Sequence, residues 1–251
     1  MSVYVWNTFC PTLFGTEALK ETGKKAKELG MHRGMVCTEK ALCDFNVATQ
    51  VIDVLKEEEL EVFVFDKCKA DAPSDICDEG AAFVREHGID GIVAVGGGST
   101  LDTAKAVGII ISQHGTTIRD YYHIEEDAHE MKLITLNTTS GTGSELSQWA
   151  VIGDVVTGAK EKPVYKPDLA IVDPALTYSV PAGTPAATGM DVLAHCVEAI
   201  TNRNYNRYGY IFGKEGIRLT MRWLSAAVRE PKNATAREQM SLAANLGGMA
   251  I

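Results

Sequence analysis

The sequence predicts an α/β fold in which a Rossmann-like parallel sheet is followed by the start of an all-helical unit. Short continuous apolar segments alternate with amphipathic helical patterns up to about residue 172. Continuous apolar strands are typical of parallel sheets covered by helices on both faces. A glycine-rich turn directly follows one of these segments, and after about residue 186 only helical patterns remain. Sheets of this kind bind ligands at the carboxyl ends of their strands.

The first half of the chain gives a βαβαβ pattern. Residues 17–30 are predicted to form a helix, because apolar side chains keep helical spacing among lysines and glutamates and Gly30 supplies a stop. Apolar, partly β-branched runs predict strands, and apolar stripes at helical spacing predict helices. By these criteria we expect strands at 34–38, 62–65 and 91–95 and helices at 45–57 and 76–87.

The second half of the chain changes character after two further strands, which we expect at about 132–136 and 169–172. Helix-breaking residues then interrupt the chain at Pro181, Gly183 and Pro185. We therefore expect a Rossmann-like domain over residues 1–180 and the beginning of a helical domain over residues 181–251.

Composition excludes several classes of partner. The chain has 251 residues, 45% of them hydrophobic, and a formal net charge of -9, with the acids scattered along it. Nucleic acid and anionic membranes attract basic surfaces, so a small-molecule ligand is favoured. No apolar run reaches the roughly 18 residues that span a bilayer, and residues 1–12 lack a secretory signal, which predicts a cytoplasmic protein. The six cysteines form no CxxC pair and predict reduced thiols.

The turn Gly96-Gly97-Gly98-Ser99 lies between a predicted buried strand and a predicted helix. Glycines allow positive φ and close approach of a ligand, while the free N–H groups at a helix start attract phosphate. Asp102 is expected in the first turn of that helix. A tight turn needed only for packing would use the same glycines, and a first-turn carboxylate also stabilises the helix dipole.

A second polar turn, residues 137–145, follows the predicted strand at 132–136. Its hydroxyls and glycines offer hydrogen-bond donors at a second strand end, so the two turns are expected to hold one nucleotide between them. The alternative is an ordinary Ser/Thr-rich loop with a helix cap.

Several sequence motifs, taken together, match those of a known protein family. The motifs are Gly96-Gly97-Gly98-Ser99 with Asp102 and Lys105, then residues 138–145 (TTSGTGSE), 170–174 (AIVDP) and 189–195 (GMDVLAH). With these motifs in order, the chain resembles the iron-containing (group III) alcohol dehydrogenases over essentially its whole length. The resemblance implies a dehydroquinate synthase-like architecture, with a dinucleotide-binding domain and an all-helical metal-binding domain. It also implies NAD or NADP, Fe²⁺ or Zn²⁺, a primary alcohol or diol and its aldehyde as substrates, and a homodimer or larger homo-oligomer.

The resemblance also assigns roles to cofactor-binding residues. Glu39 stands where relatives that prefer NAD carry an acid, which would accept from a ribose hydroxyl and repel a 2′-phosphate, so NADP is less favoured. The segment Asp71-Ala72-Pro73 departs from the Asn-Pro of relatives. Gly97, Gly98, Ser99 and Asp102 are implied at the pyrophosphate and ribose, with Thr138, Thr139, Ser147, Trp149 and Lys162 along the rest of the cofactor.

The metal ligands implied are Asp191 and His195, which are four residues apart and so share one face of a helix. By itself such a pair is also typical of a surface or capping pair. The resemblance implies two further histidines, but none follows His195. We therefore expect a truncated chain that holds metal weakly and has little or no dehydrogenase activity. An apolar face around Leu242, Leu246 and Ile251 is expected to be exposed and to favour association.

Two alternatives stay open. One is another enzyme of the dehydroquinate synthase-like superfamily, such as a glycerol dehydrogenase or a lyase, although residues 141–145 (GTGSE) favour the alcohol dehydrogenase branch. The other is a non-catalytic module that binds NAD or serves assembly. No catalytic residue beyond the metal ligands is predicted.

Overall fold

The computed structural model describes residues 10–124, 129–181, 183–203 and 206–251. The expectation about a secretory signal falls mainly on residues 1–9, which lie outside this description. The main sheet is formed by strands β1 Thr12–Phe14, β2 Arg33–Cys37, β3 Glu61–Phe65, β4 Gly91–Gly96, β5 Lys132–Asn137 and β8 Leu169–Val172. These six strands are all parallel, in the order β1-β8-β5-β4-β2-β3. A separate antiparallel hairpin is formed by β6 Ile152–Gly153 and β7 Lys160–Glu161.

The helices cover both faces of the sheet and then continue alone. They are α1 Thr22–Glu28, α2 Lys40–Asp44, α3 Val47–Glu57, α4 Ser74–His87, α5 Gly98–Ser112, α6 Gly183–Thr201, α7 Arg207–Arg229 and α8 Ala234–Ala250. Short 3₁₀ helices lie at Ala18–Glu21, Ile118–Tyr121 and Pro174–Thr177.

The sheet is buried on both faces, as predicted. Alternate residues of β4 point to opposite faces, so Ile92 packs with α4 and α5 on one side and Val93 packs with α1 and α3 on the other. All six residues of β4 are buried. The continuous apolar strands therefore did indicate a parallel sheet between two helical layers, and the predicted Rossmann-like fold class is confirmed.

One predicted helix is divided in the structure, and another is preceded by a short helix that was not predicted. The segment predicted at 17–30 consists of a 3₁₀ helix followed by α1. The helix predicted at 45–57 is α3, which begins two residues later than predicted; Asn46 with φ 58° separates it from α2, a short helix that was not predicted. A left-handed residue cannot continue a right-handed helix, and the side chain of asparagine tolerates that conformation better than most.

The helical unit packs around a core of its own. Helices α6, α7 and α8 enclose Val192, Cys196 and Leu219, and Leu242 and Leu246 are half-buried against this cluster. The expectation that these two leucines form an exposed face is therefore wrong, because they pack on the neighbouring helix α7. The exposed apolar side chains of this unit include Ile251 and, on α6 and α7, Met190, Val197, Ile211 and Met221.

The change from sheet to helices lies where the chain crosses from Val172 to Gly183. Beyond Gly183 the described residues form helices and their connections, as expected. The exact division at residues 180 and 181 remains a prediction. Among the described helices, none combines the length and the apolar character that crossing a membrane requires.

Candidate functional site

A cleft of about 640 Å³ lies between the carboxyl edge of the sheet and the helical unit. The register pairs Gly96 of β4 with Asn137 of β5, so the two polar turns predicted from the sequence begin side by side at this edge. The sheet side of the cleft brings together the predicted residues Gly98, Ser99, Asp102, Ser147, Trp149 and Lys162, and the helical side brings Asp191 and His195.

The glycine turn is needed for space and not for positive φ. Gly97 has φ −81° and ψ −177°, and none of the three glycines adopts a left-handed conformation. A Cβ atom on Gly96 would lie 2.5 Å from the Thr100 side chain, and one on Gly98 would lie 2.9 Å from Thr142 Oγ1. The glycines therefore allow close packing against Thr100 and Thr142, the expected positive φ is absent, and close approach of a ligand remains a prediction. At the start of α5 the Thr100 N–H donates to the Gly97 carbonyl at 3.0 Å, so the N–H groups of Gly98 and Ser99, at the edge of the cleft, are the ones without an acceptor in the helix.

Asp102 lies in the second turn of α5, so the expectation of a first-turn carboxylate is wrong by one turn. It is buried and accepts a hydrogen bond from Ser144 Oγ at 2.6 Å. Lys105, with no exposed surface, donates to Ser144 Oγ and to the Trp149 carbonyl, each at 2.7 Å, and lies 3.5 Å from Asp102 Oδ1. Through Ser144, this buried group connects α5 to the second polar turn, residues 137–145.

Burial and pairing act in opposite directions on these two charges. Burial raises the pKa of the Asp102 carboxyl, while Lys105 and the Ser144 hydroxyl oppose that rise. Burial lowers the pKa of Lys105, and the Asp102 charge opposes the change. Because each charge is buried beside its partner, removing one would leave the other uncompensated.

Four predicted cofactor residues, Gly97 and the three that follow, do not line the cleft. Thr138 is buried and its N–H donates to the Gly96 carbonyl at 2.9 Å, while Thr139 packs beside Gly97. Glu39 precedes α2 at the carboxyl end of β2, where its backbone bridges Lys67. Burial raises the pKa of Glu39. Their roles remain predictions.

An ion pair between Asp71 and Lys160 lies in the cleft, with Nζ 2.8 Å from Oδ1. The Asp71 N–H donates to Ser99 Oγ at 3.1 Å, and its carbonyl accepts from the Gly153 N–H at 2.9 Å. Asp71 has φ 65°, a strained value for a residue with a side chain. The loop that departs from the family pattern is thus anchored to both the glycine turn and the hairpin. Sequence reasoning gave no role to Lys160 or Ser144, although Ser144 belongs to a motif that it identified.

Asp191 and His195 lie one turn apart on α6, with Nε2 3.7 Å from Oδ1. Nδ1 of His195 is buried and has no hydrogen-bond partner in the described part of the chain. A carboxylate beside an imidazole suits a divalent ion of the iron or zinc type. Within the described ranges, no group of three or more histidine, cysteine, aspartate or glutamate side chains is arranged to hold a metal. The pair therefore fits such an ion as part of a ligand set.

The fold and the cleft define a class: a Rossmann-like α/β domain whose carboxyl edge is covered by a helical unit. Comparison with known proteins narrows this class. The family model described as iron-containing alcohol dehydrogenase matches residues 11–174, and the model of the C-terminal domain of the same family matches residues 185–251. This chain therefore belongs to the iron-containing alcohol dehydrogenase family.

Individual relatives agree with the family assignment. The chain is 32% identical to the NAD-dependent methanol dehydrogenase of Bacillus methanolicus, over 98% of this chain and 66% of that protein. It is 33% identical to the 1,3-propanediol dehydrogenase of Klebsiella pneumoniae, over 100% of this chain and 67% of that one. The structure of sulfoacetaldehyde reductase from Bifidobacterium kashiwanohense in complex with NAD+ is similar, with a TM-score of 0.93 and 31% identity. That match covers 100% of this chain and 67% of the reductase. The chain thus spans about two thirds of the length of these relatives.

Proposed function

We propose that the cleft binds NAD, and that the protein containing this chain interconverts a primary alcohol or diol and its aldehyde by hydride transfer. The observation that carries this proposal is the start of α5 at the carboxyl end of β4, beside Ser99 in the cleft. Free N–H groups at a helix start favour a diphosphate. The names of the methanol and propanediol relatives and the NAD complex of the similar reductase support the same chemistry.

The residues of the cleft suit successive parts of NAD. Ser99 offers a hydroxyl, and Lys160 and Lys162 offer positive charge to the diphosphate. Asp102, held by Ser144, is an acceptor for a ribose hydroxyl. Trp149 supplies an apolar wall that excludes water from the nicotinamide end. Beside the cleft, Thr138 and Thr139 are proposed at the adenine end, and the Glu39 carboxylate favours NAD over NADP.

The chemical step combines the cofactor with a metal. When bound, NAD accepts the hydride, and iron or zinc supplies Lewis-acid activation of the alcohol. Asp191 and His195 are the residues of this chain that would hold the ion. Two protein ligands hold a divalent ion weakly, because water fills its other positions. We therefore expect the 251-residue chain alone to bind NAD with little or no turnover. A cytoplasmic location and a homo-oligomeric state remain predictions.

Titration with NADH tests the proposal, with Trp149 as donor for energy transfer to the reduced nicotinamide. We expect saturable binding that is tighter for NADH than for NADPH. The K162A variant should weaken binding about tenfold, because a hydrogen bond with a charged partner contributes about 1.5 kcal/mol. The matched control K214A removes an exposed lysine of α7 and should leave binding unchanged. Absence of saturable binding would refute the proposed function, and one tightly held metal per chain would refute the expectation of weak metal binding.

A further inference from the structure

The carboxylate of Glu145 joins parts of the molecule that are distant in sequence. Its side chain is 1% exposed and lies in the second turn, immediately after Ser144. Oε2 accepts a hydrogen bond from Asn137 Nδ2 at 2.6 Å, at the end of β5, and Oε1 accepts from Asn245 Nδ2 of α8. One buried charge thus connects the sheet, the turn and the helical unit.

The sheet side of this connection is fixed by further hydrogen bonds. Asn137 Oδ1 accepts from the N–H and the hydroxyl of Thr139, at 2.9 and 3.0 Å, so its Nδ2 must face Glu145. The backbone carbonyl of Glu145 accepts from Thr135 Oγ1 at 2.9 Å. These contacts leave Oε1 as the acceptor for α8.

The backbones of the turn and the helix also touch one another. Gly143 has φ 66°, and a Cβ atom on it would lie 2.6 Å from Gly248 Cα. A Cβ atom on Gly248 would lie 2.8 Å from Gly143 Cα. Gly248 is three residues beyond Asn245, so the contact and the hydrogen bond lie on the same part of α8. The turn can therefore shift only if α8 shifts with it.

The charge makes this connection costly to break. Burial raises the pKa of Glu145, while the two asparagine amides and Lys105 stabilise the ionised form. A buried carboxylate that loses a donor has no water to replace it. Breaking the contact between Glu145 and α8 therefore costs free energy, and this cost opposes movement of the turn.

We propose that Glu145 and Asn245 are positioning residues that fix the second turn against α8 and thereby set Thr142, Ser144 and Ser147 in the cofactor cleft. Neither Glu145 nor Asn245 lines the cleft, whereas all three of the other residues do. NAD affinity then depends on a side chain of the helical unit that does not contact the cofactor. This inference rests on the proposed binding of NAD.

Exchanging donor and acceptor tests the proposal on the 251-residue chain. In E145Q the oxygen of the new amide accepts from Asn137, so its NH₂ group faces Nδ2 of Asn245 and two donors meet. In N245D two carboxylates meet. E145Q/N245D restores one donor and one acceptor, because the new amide can donate to the new carboxylate while its oxygen still accepts from Asn137. We expect each single variant to weaken NADH binding about tenfold, and the double variant to recover to within about threefold of the original.

Dissociation constants are measured by NADH titration at a temperature at which circular dichroism shows each variant folded, and thermal midpoints are recorded in parallel. The matched control N233A removes the cap of α8, where Asn233 Oδ1 accepts from the Ala236 N–H at 3.0 Å, far from Glu145 in the chain. It should lower the thermal midpoint and leave the dissociation constant unchanged. This control separates positioning from a general loss of stability in α8.

Two results would overturn the proposal. One is a set of variants that changes the thermal midpoint without changing NADH affinity, and the other is a double variant that binds no better than E145Q. The comparison of E145Q with E145Q/N245D stands by itself if N245D does not fold. If the unaltered chain binds no NADH, the proposed function fails together with the positioning role, and recovery of the thermal midpoint in the double variant reports only the pairing.

Discussion

Lys160 has two possible anionic partners at the proposed cofactor site. In the structure it pairs with Asp71, but a diphosphate bound at the start of α5 would attract the same ammonium group. Both side chains of the pair are largely exposed, so the ion pair contributes little to folding stability. The ion pair is instead expected to affect ligand binding. The Asp71 carboxylate competes with phosphate for Lys160 and adds negative charge to the cleft.

The D71N variant is therefore expected to bind NADH up to about fivefold more tightly, since exposed ion pairs contribute about 0.2–1 kcal/mol. The amide keeps the size of the side chain and releases Lys160 for phosphate. Affinity should also fall more steeply with added salt than in the unaltered chain, because Lys160 then contacts the cofactor directly. Titrations at two salt concentrations measure both effects.

E215Q serves as the control for D71N, because Glu215 forms an exposed ion pair with Arg218 on α7. That substitution should change neither the affinity nor its dependence on salt. Weaker binding by D71N would show that the carboxylate assists the cofactor, contrary to this prediction.

Where a side chain follows a strand directly, the sequence indicates its position at the sheet edge, although its role remains a prediction. Ser99 and Asp102 come soon after β4, and the sequence alone led to their assignment to the cleft edge. The pair of Asp71 with Lys160 joins residues 89 apart, and that of Glu145 with Asn245 joins residues 100 apart. Such contacts depend on how helices and hairpins pack, which periodicity within a segment does not specify.

At the scale of elements, the β6–β7 hairpin depends on one carboxylate. Asp154 Oδ1 accepts from the N–H groups of Val156 and Thr157, at 2.7 and 3.0 Å, and Oδ2 lies 3.1 Å from Arg119 Nε. The backbone donors, together with Arg119, hold the pKa of Asp154 well below its usual range. The hairpin also carries Lys160 into the cleft, so its shape affects the site.

Acid should therefore destabilise the protein partly through Asp154. A carboxylate with a depressed folded-state pKa stabilises the fold above its ordinary pKa of 3.8, and this stability is lost as the pH falls through the folded-state pKa. The D154N variant should have a lower thermal midpoint at neutral pH and a smaller further loss below about pH 4. Thermal midpoints across this range measure the difference. D53N, which alters an exposed acid of α3, should follow the unaltered chain, and an equal acid response in D154N would contradict the assignment.

How well the helices and strands could be predicted from the sequence depended on the number of residues in each. The longer segments, such as α4 and β4, repeat their pattern often enough to be recognised, and both were expected within two residues of their ends. Strand β1 has three residues, and each strand of the hairpin has two, which is too short for an alternation to be detected. Helix α2, five residues long and ended before the left-handed Asn46, was too short for its periodicity to be recognised.

At the scale of the whole molecule, the helical unit keeps apolar side chains in contact with solvent. Ile211 and Met221 of α7 are 53% and 71% exposed, whereas the leucines predicted to be exposed are packed. Single exposed apolar residues are common, but several on adjacent helices favour association. Self-association remains a prediction, and the exposed residues of α6 and α7 replace the two leucines as its candidate contacts.

The variant I211E/M221E should shift the chain toward monomer at concentrations at which the unaltered chain associates. The shift is expected because a charge placed on an apolar contact opposes burial of that contact. Light scattering over a dilution series measures the change. T49E serves as the control, because it adds charge to an exposed position of α3. L13E would be unsuitable, because Leu13 packs against the core. A monomer at all concentrations before substitution would exclude association through this surface.

Because the chain is made from its N-terminus, the groups that meet at Glu145 are made at widely separated times. Strands β2 to β5 can pair once Asn137 has been made, but β1 has no neighbour in the sheet until β8 follows at residue 169. Asn245 is made later still, a hundred residues after the carboxylate that it meets. While the chain is still growing on the ribosome, a nearly complete sheet therefore coexists with an unfinished second turn. If Glu145 and Asn245 position the turn as proposed, the turn reaches its final position only after α8 has been made.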